Sequence, residues 1–173
     1  GEIKGLGTDT LYLYGMDELY DRIDTIYVEN DKFSYTTSVD TITSAYLLLK
    51  NRIEYPVFLD KGNKIKIKGD TINLNFLTIS GNIYNEEFTD FQKALEDPAD
   101  PSEKAGEETV DKRITVEKAN TAEEMAEEFI LQHHSSYVSL YLLDKYFVQK
   151  ETPDFSKIKK LVEVMTGVLQ DKP

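Results

Sequence analysis

The 173-residue chain has no cysteine, no tryptophan and only two histidines. Without cysteine, these residues can form no disulfide, thiolate nucleophile, Cys-ligated zinc site or CxxC redox pair. No G-x-S-x-G elbow and no H-E-x-x-H zinc motif is present. No apolar run approaches the roughly 20 residues needed to span a bilayer, and the opening GEIKG lacks the basic-then-apolar pattern of a secretion signal. The expectation is a cytosolic protein or a mature fragment whose targeting segment was removed, with no direct membrane insertion by these residues. Positive charge is also scarce. The formal net charge is -12, with nine basic against twelve acidic residues in 1–81 and eleven against twenty in 82–173. Such a field repels phosphate backbones and anionic lipid, so nucleic-acid binding is not expected. KIKIK (64–68) and KIKK (157–160) are too short to reverse it.

What is present describes a folded chain: 40% hydrophobic and 30% charged residues, enough for one core or two small subdomains. The first half is rich in short β-branched and aromatic runs: TLYLY (10–14), IDTIYV (23–28), KFSYT (32–36), AYLLL (45–49), YPVFL (55–59), KIKIK and TINLNFL (71–77). Turn formers separate them at Gly15, Asn30-Asp31, Gly62-Asn63 and Gly69-Asp70. Links this short predict antiparallel pairing, because parallel strands need long crossovers. The expected architecture is α+β: an antiparallel meander or sandwich of about seven to eight strands over 1–81. About four helices follow in a segment, 82–173, expected to pack on it.

After Gly81 the period changes from 2 to 3.6. Tyr84, Phe88, Phe91 and Leu95 fall on one helical stripe, Asn82 is placed to cap it, and Glu86 and Glu87 sit where the helix dipole favours carboxylates. The cluster Asn82, Asn85, Glu86, Glu87 and Asp90 has the composition of a cation site but lacks the calcium-loop spacing, so a strand-to-helix joint is expected. Residues 97–120 are expected to form an exposed connection, with a short helix within it as an option. Thr121 and Glu124 are spaced as a capping box for a helix with Ala122, Met125, Ala126, Phe129 and Ile130 on one face. A further helix is expected over about 137–148. A last one, with Thr152 as cap and Pro153 in its first turn, carries Ile158, Leu161, Val162, Met165 and Leu169.

Three constellations invite chemistry. His133-His134 before Ser135-Ser136 suggests a base and a nucleophile, but adjacent helical residues point about 100 degrees apart. A helix end followed by a serine cap is the expected reading. The glutamates Glu123, Glu124, Glu127 and Glu128 read as a solvated helix face rather than a hydrolytic pair. Tyr12, Tyr14, Tyr20, Tyr27 and Tyr35 could form a sugar-binding platform, although alternating strand tyrosines also serve ordinary sheet packing. No catalytic, cofactor-binding or metal-ligating residue is assigned, and no cofactor is expected.

Taken in order, EIKGLGTDTLYLYG, IDTIYVENDKFSYT, YPVFLDKGNKIKIKGD and ISGNIYNEEF resemble a domain of unknown function. It forms the N-terminal part of thioredoxin-like, thiol-disulfide oxidoreductase envelope lipoproteins. SSYVSLYLLDKYF and TPDFSKIKKLVEVM resemble the helical segment that there leads to the thioredoxin-like domain. The resemblance implies a non-catalytic accessory domain in the cell envelope, lipid-anchored in the full-length protein. Its implied partners are an attached thioredoxin-like domain or other envelope proteins, with self-association into a homo-oligomer a further option. The redox CxxC of those proteins and their lipid-bearing cysteine have no counterpart among these residues. The rival expectation is a glycan- or ligand-binding module of a surface lipoprotein.

Overall fold

A computed structural model describes residues 1–16, 18–49, 52–96 and 111–170, with backbone alone for 111–120, 168 and 170. The chain divides into two compact units, Gly1–Lys93 and Ala94–Lys172. The class is α+β, with seven strands preceding the helices among the described residues.

In the first unit, β2 (Asp9–Gly15), β3 (Ile23–Val28), β4 (Thr43–Leu48) and β5 (Glu54–Leu59) form an antiparallel sheet of order β3-β2-β4-β5. Alternation sets its buried face: Leu11 and Leu13, Ile26 and Val28, Ala45 and Leu47, Tyr55 and Val57 are all at most 5% exposed. The turn after β3 is the one expected. Asn30 and Asp31 have φ of 51 and 68, and Glu29 and Lys32 exchange backbone hydrogen bonds of 2.9 and 3.1 Å. Two successive positive φ values are what a two-residue hairpin turn requires, and Asn and Asp tolerate them best among non-glycine residues.

KFSYT does not continue as a strand. Lys32 makes only isolated bridges to Glu29 and Glu2, and beyond Phe33 the chain leaves the sheet, with the Ser38 carbonyl accepting from the Arg22 guanidinium at 3.1 Å.

The second sheet, β1 (Glu2–Lys4), β6 (Lys66–Asp70) and β7 (Thr78–Ser80), has order β1-β6-β7. Here the purely antiparallel expectation is corrected, because β1 pairs parallel to β6. The long crossover that parallel pairing needs is supplied by residues 5–65, the span that includes the four-stranded sheet. TINLNFL is corrected as well. The Asp70 carboxylate accepts from the Ile72 amide at 2.9 Å and starts a 3-10 turn over Thr71–Asn73, leaving Ile72 92% exposed. A local Asx hydrogen bond thus overrides strand propensity.

α1 (Ile83–Glu96) starts as expected, with the Asn82 side chain accepting the Asn85 amide at 3.0 Å. Gly81 precedes it with φ 111, and a Cβ there would collide with the Lys64 carbonyl, so this joint requires glycine. Phe88 and Phe91 are buried, and Tyr84 and Leu95 half-buried.

In the second unit, α2 (Asp111–Gln132) packs against α3 (Tyr137–Leu143) and α4 (Phe155–Val164); α3 runs on as a π turn over Asp144–Val148, and a short α5 (Gly167–Gln170) follows. The expected helix start at Thr121 is corrected, since α2 begins at Asp111. Residues 111–120 hold no glycine or proline, so nothing local stops the helix from extending backward. The rest of the expected connection, 97–110, lies outside the described residues. α4 is capped by Asp154, whose carboxylate accepts the Ser156 and Lys157 amides at 3.0 and 3.1 Å, and not by Thr152. Ala126, Ile130 and Leu161 are buried on their stripes, but the last stripe is corrected: α4 ends at Val164, Met165 follows in extended conformation with ψ 152, and Leu169 lies on α5, both of them still buried.

Candidate functional site

The polar cluster after Gly81 is a joint, and its asparagines do more than cap. Asn85, 1% exposed, accepts the Phe58 amide at 2.9 Å and donates to the Phe58 carbonyl at 2.8 Å. Its remaining amide hydrogen goes to Asn82 at 2.9 Å, and Asn82 itself donates to the Phe58 carbonyl at 2.8 Å. One turn further along α1, the Thr89 hydroxyl accepts the Ile79 amide and donates to the Ile79 carbonyl, both at 3.0 Å. Phe58 and Ile79 lie on β5 and β7, each the last strand of its sheet. Their outward amides and carbonyls lack a neighbouring strand, and two side chains of α1 replace it. Glu86 accepts the Gly81 amide at 3.3 Å, and Asp90 pairs with Lys93 in water. Among the described residues no group of histidines and carboxylates is assembled for a metal ion.

The tyrosines separate into classes. Tyr20 is buried, 4% exposed, and leaves any platform. Tyr14 packs on its register partner Tyr46, with ring centroids 5.7 Å apart, and its hydroxyl donates to Glu54. Burial, then the Glu54 carboxylate, raises the Tyr14 pKa. Tyr12 stays 40% exposed, while Tyr27 and Ile23 are 73% exposed. Register puts Tyr27, Tyr12 and Tyr46 on a diagonal across three strands, on the face opposite the core. Such diagonal steps are about 7–8 Å. Packing therefore accounts for Tyr14 and leaves Tyr12 and Tyr27 open.

Sequence reasoning missed the polar network behind Tyr35. Tyr20 donates to Asp24 and lies 3.2 Å from the Thr37 hydroxyl; Arg22 donates to Asp24 at 3.2 Å, to Thr37 and to the Ser38 carbonyl, with its guanidinium 4.7 Å from the Tyr20 ring centre. Burial alone would raise the Asp24 pKa, but the hydroxyls of Tyr20 and Tyr35 and the Arg22 charge outweigh it and hold the carboxyl below its ordinary value. Burial and the Asp24 bond push the Tyr20 phenol up. The network pins the loop after Phe33, and between residues 35–40 and 59–65 lies an open cleft of about 660 Å³. The available signal was the hydroxyl-rich FSYTTSVDTITS (33–44), too polar for a buried strand.

A depressed carboxyl contributes stability above its unfolded pKa of about 3.9, and that contribution is lost as pH falls through the folded value. Asp24→Asn is expected to cost about 1 kcal/mol near pH 7. The gap from wild type should close below about pH 4, measured as denaturant midpoints across pH. A gap that stays constant into acid would show that the Asp24 charge contributes nothing.

In the second unit, His133 stacks on Phe129 at 4.1 Å and its ring nitrogen lies 3.2 Å from the Phe129 carbonyl, just past the end of α2. The His134 carbonyl accepts the Thr166 amide at 3.0 Å. Ser136 caps α3, accepting the Val138 amide at 3.2 Å, so the expected helix end and serine cap are present. The glutamate face is not uniformly solvated. Glu123 pairs with Lys150 at 2.6 Å and Lys157 at 3.6 Å, and Glu127 with Lys157 at 2.7 Å, joining α2 to α4. Glu124 and Glu128 are exposed, as expected. Among the described residues no helix is long and apolar enough to cross a membrane.

Residues 1–88 match the family model described as "Domain of unknown function (DUF4369)". No curated protein and no solved structure matches the chain.

Proposed function

Since the chain belongs to the DUF4369 family, we propose that it is a non-catalytic accessory domain of an envelope-anchored, lipidated thiol-disulfide oxidoreductase-like protein. In this reading it positions a thioredoxin-like domain or mediates contacts with envelope proteins or with a second copy of itself. The observation that carries the reading is the outward face of the four-stranded sheet, where Ile23, Tyr27 and Tyr12 are exposed while Leu11, Leu13, Ile26 and Val28 on the other face are buried. Aromatic, weakly charged surfaces suit the centre of an interface. The resemblance to the N-terminal part of thioredoxin-like lipoproteins supports this reading, and without cysteine these residues supply no thiol for redox chemistry of their own.

Two measurements test this. The isolated chain, free of other redox proteins, is expected to show no disulfide reduction or exchange above a buffer control, and activity above that control would sink the accessory reading. The coding sequence beyond Pro173 is expected to encode a CxxC followed by a βαβ pattern, and a stop codon there would refute it. The second reading, a ligand- or glycan-binding module of a surface lipoprotein, is favoured by the open cleft beside Tyr35.

A further inference from the structure

We propose that the cleft between residues 35–40 and 59–65 binds a short neutral oligosaccharide. The inference rests on the second, ligand-binding reading and moves the site from the tyrosine sheet face to the loops. A volume of about 660 Å³ falls inside the range of roughly 300–1,000 Å³ typical of small-ligand sites. Tyr35 lines the cleft and is 41% exposed, and its hydroxyl reaches Asp24, so the ring is held at the wall while part of it stays open. A ring fixed in advance loses little conformational entropy when a sugar's apolar face stacks on it.

The polar lining suits hydroxyl groups, each of which donates and accepts. Ser38 and Asn63 do both, Asp40 and Asp60 accept, and Lys61 and Lys64 donate. The two carboxylates balance the two ammonium groups, so the lining has no formal preference for charge. Lys61 and Lys64 would attract an anion but Asp40, Asp60 and the net charge of -12 would repel it, and an apolar ligand would make no bond to the hydroxyl, amide and charged groups of the lining. Both walls are also fixed. Arg22 holds Thr37 and Ser38, and Asp60 holds the opposite turn, its carboxylate accepting the Lys61 amide at 2.8 Å and its carbonyl the Asn63 amide at 3.2 Å.

The test is an array of neutral and acidic glycans probed with the whole chain, followed by titration calorimetry on the best neutral binder. Tyr35→Ala is expected to weaken binding about tenfold or more, and Asn63→Ala and Tyr35→Phe to weaken it by less, the phenylalanine keeping the stacking ring but losing its hold on Asp24. Tyr12→Ala and Tyr27→Ala should bind as wild type, with circular dichroism confirming the fold of every variant. Binding lost in Tyr12→Ala or Tyr27→Ala but kept in Tyr35→Ala would overturn the cleft and leave the ligand-binding reading standing. Preference for acidic glycans would overturn the neutral ligand. No binding to any glycan at millimolar concentration would overturn the oligosaccharide proposal and the glycan-binding reading it rests on, and would leave the accessory reading standing.

Discussion

Phe88→Ala is expected to destabilise the first unit by about 3–5 kcal/mol, the range for removing a fully buried phenylalanine from a close-packed core. Phe88 is 2% exposed and forms the centre of an aromatic cluster. Its ring meets Tyr55 and Phe58 edge-on at 5.7 and 6.4 Å and stacks on Phe91 at 6.5 Å. Truncation leaves a cavity bordered by three rings that cannot collapse into it without moving β5 or α1. Tyr55 would lose a neighbour that positions its hydroxyl on the Leu77 carbonyl, a buried bond of 2.9 Å between β5 and the segment leading into β7. Denaturant unfolding of Phe88→Ala should show a lower midpoint with little change in slope. Tyr27→Ala, at 73% exposure, should stay within about 0.5 kcal/mol of wild type. A Phe88→Ala loss below about 1 kcal/mol would mean that α1 is not anchored to the sheet through this ring.

The parts of the fold that were legible are those whose cause is local. β2 and β4 alternate buried with more exposed side chains, a period of two that is a property of each strand alone, whereas Tyr55–Leu59 of β5 are buried on both faces. The Asn30-Asp31 turn, the Asn82 cap and the stripe of α1 follow from residue types only a few positions apart. Partners far along the chain were invisible. β1 has three residues, and its parallel partner β6 lies beyond the whole four-stranded sheet. KFSYT and TINLNFL have strand composition, yet Lys32 forms only bridges and Asp70 turns the chain at Ile72. In each case hydrogen bonds outside a sheet ladder displaced propensity. The same division runs through the site. Adjacent histidines at a helix end could be recognised from spacing, whereas the Arg22–Thr37 contact spans 15 positions and nothing near Arg22 announces it. The roles of Asn85 and Thr89 depend on which strands end their sheets, which is a property of topology rather than of the sequence around α1.

The Asn85 contact sets up the second large effect, expected in Asn85→Asp. The wild-type amide meets Phe58 with an acceptor opposite its N–H and a donor opposite its C=O, at 2.9 and 2.8 Å. A carboxylate of nearly the same shape keeps the first bond but puts its one other oxygen where the amide nitrogen was, facing both the Phe58 carbonyl and the Asn82 side-chain oxygen, at a position 1% exposed. The ionised form is therefore buried without a compensating charge, at a cost of about 3–5 kcal/mol. The protonated form can still donate to the carbonyl, so folding raises the pKa of Asp at this position above its unfolded value of about 3.9. A group whose folded pKa is raised keeps its full contribution below the unfolded pKa and loses it as pH climbs through the folded value. Asn85→Asp should accordingly unfold near the wild-type midpoint at pH 3 and far below it at pH 7. Asn85→Leu instead leaves the Phe58 N–H and C=O without Asn85 at every pH, with only Asn82 still donating to the carbonyl. Its loss of about 2–4 kcal/mol should not depend on pH. If Asn85→Asp were as stable as wild type at pH 7, with Phe88→Ala still strongly destabilising, then α1 would be held to β5 by its aromatic rings alone and the amide would not be standing in for the missing strand.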